Sequence, residues 1–323
     1  MTFRKFLVGT AAALACALSA VPAWSANYPD HPVKLIVPQS PGGASDALGR
    51  LIAQGLTDAW GQSVVVENKA GAGGNIGLDA VAKAPGDGYT LLLTYEGTQA
   101  INVSLRDLPF DPIKDFTPIA AVATVPFIVA INKDVKAQTF QEFVALARAN
   151  PGMTFGSAGS GTVNHLLGEM VNHVADTKLT HVPYKGASPA LTDLLGGRLD
   201  VVFSSVPSIA QQVDAGALRG IAISSNTRSS RFPNIPTIAE SGYPDFHVAP
   251  WFAVFGPAGV PDDIVSKINH DVGALLANPE FRKTLAKHAA EPLQTTPEQL
   301  GEMLQSDVNK WAVVVKQSGA RVD

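Results

Sequence analysis

Two stretches constrain this chain most, and in each an apolar run passes through a glycine-rich turn into a helical pattern. The first runs from Leu35 to Leu56 and turns through Pro41-Gly42-Gly43. The second runs from Met153 to Val174 and turns through Gly156–Thr162. Such a turn leaves backbone N–H groups unpaired at a helix N-terminus, where an anion can bind. We therefore predict that the two turns face each other across a cleft and hold one carboxylated ligand.

The alternation of apolar runs and helical patterns predicts an α/β fold with two lobes. Strand, helix, strand, helix and strand patterns fill residues 33–94, which indicates a parallel sheet with right-handed crossovers. We assign residues 26–122 and about 225–250 to lobe 1, and about 123–224 and about 251–300 to lobe 2. Residues 301–323 form a C-terminal helix that we assign to neither lobe. The ligand site is expected at the carboxyl ends of the strands, between the lobes.

Residues 1–25 have the features of a secretory signal peptide. Two basic residues precede an apolar run, and small residues follow it. Cleavage is predicted near Ser25 or Ala26, which indicates an exported protein. The single cysteine, Cys16, lies in this segment, so the mature chain is expected to contain no disulfide. A lipid anchor at Cys16 is the alternative, but the apolar segment continues past this residue.

Composition and motifs exclude several classes of function. With 46% hydrophobic residues, 16% charged residues and a net charge of −4, the sequence indicates a globular protein without a nucleic-acid partner. The glycine loop at residues 71–77 departs from the dinucleotide motif because Ile76 stands at the third glycine position. We expect neither a cofactor nor a metal site, and a monomeric protein. His181, beside a short strand, is predicted to be a partly buried histidine with satisfied hydrogen bonds.

A secreted esterase using Ser160 and His165 is the alternative enzyme. Ala158 stands where the hydrolase motif GxSxG needs a glycine, and one serine with one histidine does not make a catalytic triad. The favoured interpretation is that the hydroxyl groups of Ser157, Ser160 and Thr162 donate to a bound anion.

Two further groups follow predicted strands and are expected to reach the crevice. Tyr95, Glu96 and Thr98 follow the third strand, and Tyr184 and Lys185 precede a helix in the second lobe. Lys185 either pairs with a ligand carboxylate or lies on the surface. Glu96 either accepts from a ligand or is a surface charge.

Several segments together resemble one known family. They are Val33–Asp46, Val64–Gly77, Pro85–Leu91, Gly156–Thr162, His181–Gly186 and Pro236–Gly242. With these segments the chain resembles the substrate-binding receptors of the tripartite tricarboxylate transporter family, also called Bug receptors. The resemblance implies a two-lobed Venus-flytrap fold of the periplasmic-binding-protein type (type II-like), no enzymatic activity, and delivery of a carboxylate to membrane permease subunits. A sensory receptor that signals to a membrane kinase would have the same sequence features.

In this family the two opposed loops bind the carboxylate, and here they correspond to Ser40–Ser45 and Gly156–Thr162. Two departures concern ligand choice: Ser204-Ser205 replaces an Asp-Asn pair of many relatives, and Glu96 replaces a neutral residue. An amino-acid ligand is therefore less favoured than a dicarboxylate, a tricarboxylate or an aromatic carboxylate. The complete predicted set of ligand-binding residues is Ser40, Gly42, Gly43, Ala44, Ser45, Tyr95, Glu96, Thr98, Ser157, Ala158, Gly159, Ser160, Gly161, Thr162, His165, Tyr184, Lys185, Ser204 and Ser205.

Overall fold

The computed structural model of the protein describes residues 28–320. The predicted signal peptide, its cleavage site and Cys16 lie outside the described residues. None of the helices within residues 28–320 is both long and apolar enough to cross a bilayer.

The elements alternate between strand and helix along most of the chain. The first group is β1 (Val33–Val37), α1 (Ala44–Trp60), β2 (Val64–Asn68), α2 (Asn75–Ala82), β3 (Thr90–Tyr95), α3 (Asn102–Leu105) and β4 (Phe116–Thr124). The second group is β5 (Phe127–Asn132), α4 (Phe140–Ala149), β6 (Thr154–Ser157), α5 (Val163–Val174), β7 (Thr180–Pro183), α6 (Ala187–Leu195), β8 (Val201–Ser205), α7 (Val206–Asp214) and β9 (Leu218–Ile223). The third group is β10 (Trp251–Pro257), α8 (Asp262–Ala277), α9 (Pro279–Lys287), β11 (Glu291–Pro292) and α10 (Pro297–Ser318).

These strands form two separate mixed sheets, one in each lobe. The first has the order β11-β4-β10-β3-β1-β2, and the second has the order β7-β6-β8-β5-β9. Strand β1 is parallel to β2 and to β3, as the sequence predicts for the first three strands. Strand β6 is likewise parallel to β7 and β8, whereas β10 and β5 run antiparallel to their neighbours.

Residues on both faces of β1 are buried, which explains why the strand reads as a continuous apolar run. Leu35 and Val37 belong to a core cluster that also contains Leu48 and Ile52 of α1. Ile36 points the other way, into a cluster that contains Trp311 of the C-terminal helix. Helices therefore cover both sides of the first sheet, as in other doubly wound α/β folds.

The predicted division of the C-terminal half between the lobes is wrong. Residues 251–257 form β10 and lie between β3 and β4 in the first sheet, not in the second lobe. Residues 225–250 instead follow the edge of the second sheet, where Ile223 donates its N–H to Pro236 O at 2.9 Å. Periodicity identifies the strands but carries no information on the sheet that accepts them, because pairing is a long-range choice.

The chain crosses between the lobes through two adjacent segments. The apolar run at residues 119–131 is divided into β4 and β5 by a short link at residues 125–126. The Val125 N–H donates to Pro250 O at 2.9 Å, so the two crossings are hydrogen-bonded to each other. Val125 and Pro250 of this pair of links both line the space between the lobes.

Helix α10, which the sequence analysis assigned to neither lobe, contacts both. It packs on β4 and α3 of the first lobe and on α5 of the second. Its N-terminus carries a capping box, in which Thr296 Oγ1 accepts from the Gln299 N–H and the Gln299 side chain accepts from the Thr296 N–H. The helix thus provides a third connection between the lobes.

Candidate functional site

A cleft of about 280 Å³ lies between the two sheets, and both glycine turns reach it. Its wall also includes residues of both crossing segments. The lining residues are Gln39, Gly43, Ala44, Ser45, Tyr95, Val125, Phe127, Ala158, Thr162, Val163, Asn164, Ser205, Pro250 and Phe252.

Helix α1 opens onto the cleft with its N-terminus. The residue before the helix, Gly43, is extended (φ −89°, ψ 178°), and no side chain caps the helix. The N–H groups of Ala44 and Ser45 therefore have no partner within the helix and lie at the cleft wall.

A carboxylate beneath this turn holds it in place. Asp46 Oδ2 accepts from the Gly42 N–H at 3.0 Å, and Asp46 Oδ1 pairs with Arg50 at 3.0 Å. Burial tends to raise the pKa of the Asp46 carboxyl, but the Gly42 N–H and Arg50 together hold this pKa below its ordinary value. Asp46 is therefore a fixed anion that shapes the turn, and the remaining N–H groups stay directed to the cleft.

Helix α5 opens onto the cleft from the opposite lobe. Thr162 precedes it in an extended conformation (φ −73°, ψ 159°), and no side chain caps this helix either. The Thr162 hydroxyl donates to Gly159 O at 2.7 Å, so the N–H groups of Val163 and Asn164 remain without a partner within the helix. Two helix N-termini thus present positive potential to one small space, as the glycine turns predict.

The chemistry of the lining is neutral apart from these helix dipoles. The lining residues named above include no lysine, arginine, histidine, aspartate or glutamate. Among residues 28–320, no group of three or more histidine, cysteine, aspartate or glutamate side chains is arranged to hold a metal ion. Backbone N–H groups and neutral side chains are therefore what this cleft offers a ligand.

Several predicted ligand-binding residues lie behind the second loop instead of in the cleft wall. Ser157 is 1% exposed and its Oγ lies 2.6 Å from His181 Nε2. His165 Nδ1 accepts from the Gly161 N–H at 3.1 Å. The histidine-bonded serine is therefore the buried Ser157, and the Ser160–His165 pair expected of an esterase is not formed. His181 is partly buried and hydrogen-bonded, which confirms that prediction.

The prediction that Glu96 reaches the crevice is wrong. Strand β3 ends at Tyr95, which lines the cleft, and the backbone turns helical at Glu96 (φ −47°, ψ −43°), whose side chain is directed to the C-terminal helix instead. Trp311 Nε1 donates to Glu96 Oε1 at 2.5 Å, and Lys310 Nζ donates to the same oxygen at 3.2 Å. Burial raises the pKa of the Glu96 carboxyl, and the charge of Lys310 opposes this rise. Glu96 is a buried structural carboxylate.

The other predicted residues divide between the wall and its surroundings. Thr98 is buried and accepts from Gln39 Nε2 at 2.9 Å, and Tyr184 donates to Asp193 at 2.6 Å. The members of the predicted set that line the cleft are Gly43, Ala44, Ser45, Tyr95, Ala158, Thr162 and Ser205. Those that do not line it are Ser40, Gly42, Glu96, Thr98, Ser157, Gly159, Ser160, Gly161, His165, Tyr184, Lys185 and Ser204.

Half of the residues that line the cleft were not predicted from the sequence. The additional lining residues are Gln39, Val125, Phe127, Val163, Asn164, Pro250 and Phe252. Gln39 and Asn164 flank the two glycine turns, so their position in the sequence could have identified them as lining residues. The four residues at the crossings carry no such signal, because an apolar crossing looks like any buried strand.

Helix α7 was also missed, although its start has a recognisable signal. Ser205 occupies the position before the helix and Pro207 lies in its first turn. Ser205 lines the cleft, so a third helix begins at the same space.

Two α/β lobes with paired crossing segments, and helix N-termini opposed across the space between them, define a periplasmic-type solute-binding protein. Comparison with known proteins supports this class. The family model described as "Tripartite tricarboxylate transporter family receptor" matches residues 48–320. The chain therefore belongs to the receptors of the tripartite tricarboxylate transporter family, as its sequence motifs predict.

Individual relatives agree over nearly the whole chain. Protein BugT of Bordetella pertussis is 36% identical over 325 aligned residues, which cover 100% of both chains. The solved structure of the periplasmic binding protein BugD is 34% identical, with a TM-score of 0.75 over 91% of this chain and 99% of that one.

Two further solved structures were determined with ligands. An R. palustris protein with adipate is 34% identical, with a TM-score of 0.79 over 91% of this chain and 99% of that one. MatC from Rhodopseudomonas palustris, with bound malate, is 30% identical, with a TM-score of 0.75 over 89% of this chain and 100% of that one. These similarities confirm the two-lobed fold predicted from the sequence.

Proposed function

We propose that this protein is a periplasmic receptor that captures a small organic carboxylate and delivers it to the permease subunits of a tripartite transporter. The observation that carries this proposal is the pair of uncapped N-termini, of α1 and α5, that open onto one cleft without a cationic side chain. Such a pair stabilises an anion by N–H donation and by the helix dipoles. Adipate and malate, seen with similar proteins, are both dicarboxylates.

The remainder of the wall favours a ligand with an uncharged body. Tyr95 and Phe252 stack with ring centroids 5.8 Å apart, and Val125, Phe127 and Pro250 extend this apolar surface. An ammonium group would find no carboxylate partner there, so amino acids are poor candidates. Gln39 and Ser205 offer neutral hydrogen-bonding groups to a second carboxylate or to a hydroxyl. We infer an aliphatic or aromatic carboxylate.

The remaining parts of the proposal follow from the sequence. The N-terminal segment is expected to export the chain, with cleavage near Ser25 or Ala26. The mature protein acts as a monomer and catalyses no reaction, and membership of the receptor family supports that role. Closure of the two lobes on the ligand would present the surface that the permease recognises.

Proline substitutions at the first helical positions test the clamp directly. Proline at this position removes one N–H and is tolerated by the helix, provided that the preceding residue is extended. Gly43 and Thr162, which precede these positions, both have an extended backbone. The variants Ala44→Pro and Val163→Pro should therefore fold. Each loses one N–H donor to the carboxylate, worth about 1.5–3 kcal/mol for a charged acceptor. We expect the Kd to rise about 10- to 100-fold.

Asp262→Pro is the matched control, because it makes the same change at the start of α8, where Pro261 is extended. The measurement is a thermal-shift screen followed by calorimetry with adipate, malate, benzoate and glutamate. Ligand that binds only the folded state raises the melting temperature. Binding by wild type and Asp262→Pro, with loss in the two cleft variants, supports the clamp. Equal affinity in all four proteins would refute it.

A further inference from the structure

Two histidines lie stacked behind the second glycine loop, outside the cleft wall. The rings of His165 and His181 have centroids 3.8 Å apart and an interplanar angle of 17°. Phe155 packs beside both rings, with its centroid 4.9 Å from that of His181 and 6.2 Å from that of His165. His165 is 5% exposed, so the pair is largely held within the lobe.

The hydrogen bonds of His165 identify its tautomer. The Gly161 N–H donates to His165 Nδ1 at 3.1 Å. A backbone N–H can only donate, so Nδ1 carries no proton and the neutral ring is protonated at Nε2. His165 Nε2 faces Glu169 Oε1 at 3.6 Å, which favours this tautomer electrostatically.

The second histidine holds the other end of the loop through Ser157. His181 Nε2 lies 2.6 Å from Ser157 Oγ, and this oxygen accepts from the Gly159 N–H at 3.1 Å. The loop N–H groups of Gly159 and Gly161 are therefore both directed inward. The N–H groups that remain available at the cleft are those at the start of α5.

We propose that His165 and His181 are positioning residues of the carboxylate site, which turn alternate N–H groups of the loop inward and so aim the α5 N-terminus at the ligand. The proposal rests on the proposed function only where it concerns the ligand. The bracing of the loop is a property of the unliganded protein.

The groups packed against the pair are mostly uncharged. The titratable group that faces the pair from α5 is Glu169, and Ser157 and Phe155 face it from β6. The groove beside Glu169 also contains His173 of α5, and α10 contributes the uncharged Val314, Gln317 and Ser318.

The environment of His181 favours its neutral form. Burial is the main cause that lowers the pKa of the His181 imidazole to about 4, the neighbouring His165 adds to this lowering, and Glu169 opposes it. His181 is therefore neutral at neutral pH.

Two variants of His165 separate the hydrogen bond from the packing. Asparagine places an acceptor oxygen near the position of Nδ1, whereas leucine fills much of the volume without an acceptor. The first measurement is the ¹⁵N–¹H resonance and amide exchange of Gly161 in the unliganded protein at pH 7. The second measurement is the Kd for adipate at the same pH.

We expect Gly161 to be protected at pH 7 in wild type and His165→Asn, and exposed to exchange in His165→Leu. The Kd for adipate should rise about tenfold in His165→Leu, as for the loss of one hydrogen bond. His165→Asn should bind adipate with an affinity close to that of wild type. Unchanged Gly161 exchange in His165→Leu, or an equal loss of affinity in His165→Asn and His165→Leu, would overturn the proposal. If wild type binds no carboxylate at all, the proposed function fails, and Gly161 exchange still decides whether the histidines brace the loop.

Discussion

At the scale of single residues, a buried carboxylate joins the first sheet to the C-terminal helix. Glu96 is 1% exposed and accepts from Trp311 and Lys310, while Lys310 also donates to Asp307 at 2.6 Å. We expect Glu96→Ala to lower the free energy of unfolding by about 3 kcal/mol, because it leaves buried donors unpaired. Urea denaturation at pH 7 measures this change.

The control for Glu96 is the exposed pair of Glu280 and Lys283, whose side chains are 80% and 69% exposed. Glu280→Ala should change the stability by no more than about 0.5 kcal/mol, as is usual for surface pairs. Equal effects of the two substitutions would show that the Glu96 cluster contributes no more than a surface ion pair.

The buried histidine pair also predicts a pH dependence of stability. The pKa of His181 is lowered from 6.5 to about 4 in the folded protein, so the folded state binds fewer protons than the unfolded state between these values. Stability contributed by the neutral ring is therefore present above pH 6.5 and is lost as the pH falls toward 4. His181→Asn should show a shallower loss than wild type in urea titrations across this range. If stability falls equally steeply with pH in wild type and His181→Asn, His181 is not the source of this pH dependence.

At the scale of elements, two helical glycines make opposite predictions. A Cβ at Gly168 in α5 would lie 2.3 Å from Phe155 Cε2, whereas a Cβ at Gly301 in α10 would meet only Pro118 Cγ, at 3.5 Å. Gly168→Ala should destabilise by about 1–3 kcal/mol through overpacking. Gly301→Ala should stabilise by about 0.5–1 kcal/mol through helix propensity. Thermal or urea unfolding measures the change in the free energy of unfolding for each variant. A change of the same sign in both variants would refute the packing argument.

The helices were predicted best where a periodic apolar pattern and a clear terminus coincide. Helices α1 and α5 follow the two glycine turns, as predicted, and α1 ends at Gly61, whose backbone is left-handed (φ 65°). Helix α7 was not predicted because it follows β8 without a loop and is nine residues long, although Ser205 and Pro207 mark its start.

At the scale of the whole molecule, the paired crossings predict a closing motion around the cleft. Ile76 and Ser188 are exposed and follow the outermost strands β2 and β7, at the carboxyl ends that face the cleft. The single cysteine, Cys16, precedes the predicted cleavage site, so Ile76→Cys with Ser188→Cys can be labelled selectively in the mature chain.

We expect pulsed electron spin measurements on this doubly labelled protein to give a shorter mean distance with adipate than without it. A pair placed within one lobe, Ile76→Cys with Val65→Cys, should show no change and is the control. An unchanged distance between the lobes, in a sample that binds adipate by calorimetry, would contradict closure.

The sequence by itself determined the features that depend on neighbouring residues. Glycine turns, helix periods and the order of the first strands are set within a few positions, because backbone sterics and amphipathic patterns act locally. The opposed helix N-termini at Gly43 and Thr162 follow from these features, and so does the family resemblance.

Only the tertiary structure determined which sheet contains β10, in which direction the Glu96 side chain points, and which side chains line the cleft at the crossings. Lys310 lies 214 residues from Glu96, and Asp271, which accepts from Trp60, lies 211 residues away from it. Such partners are chosen by burial and by the need to pair every buried polar group across the whole chain. A local pattern contains neither the identity of a distant partner nor the face that it occupies.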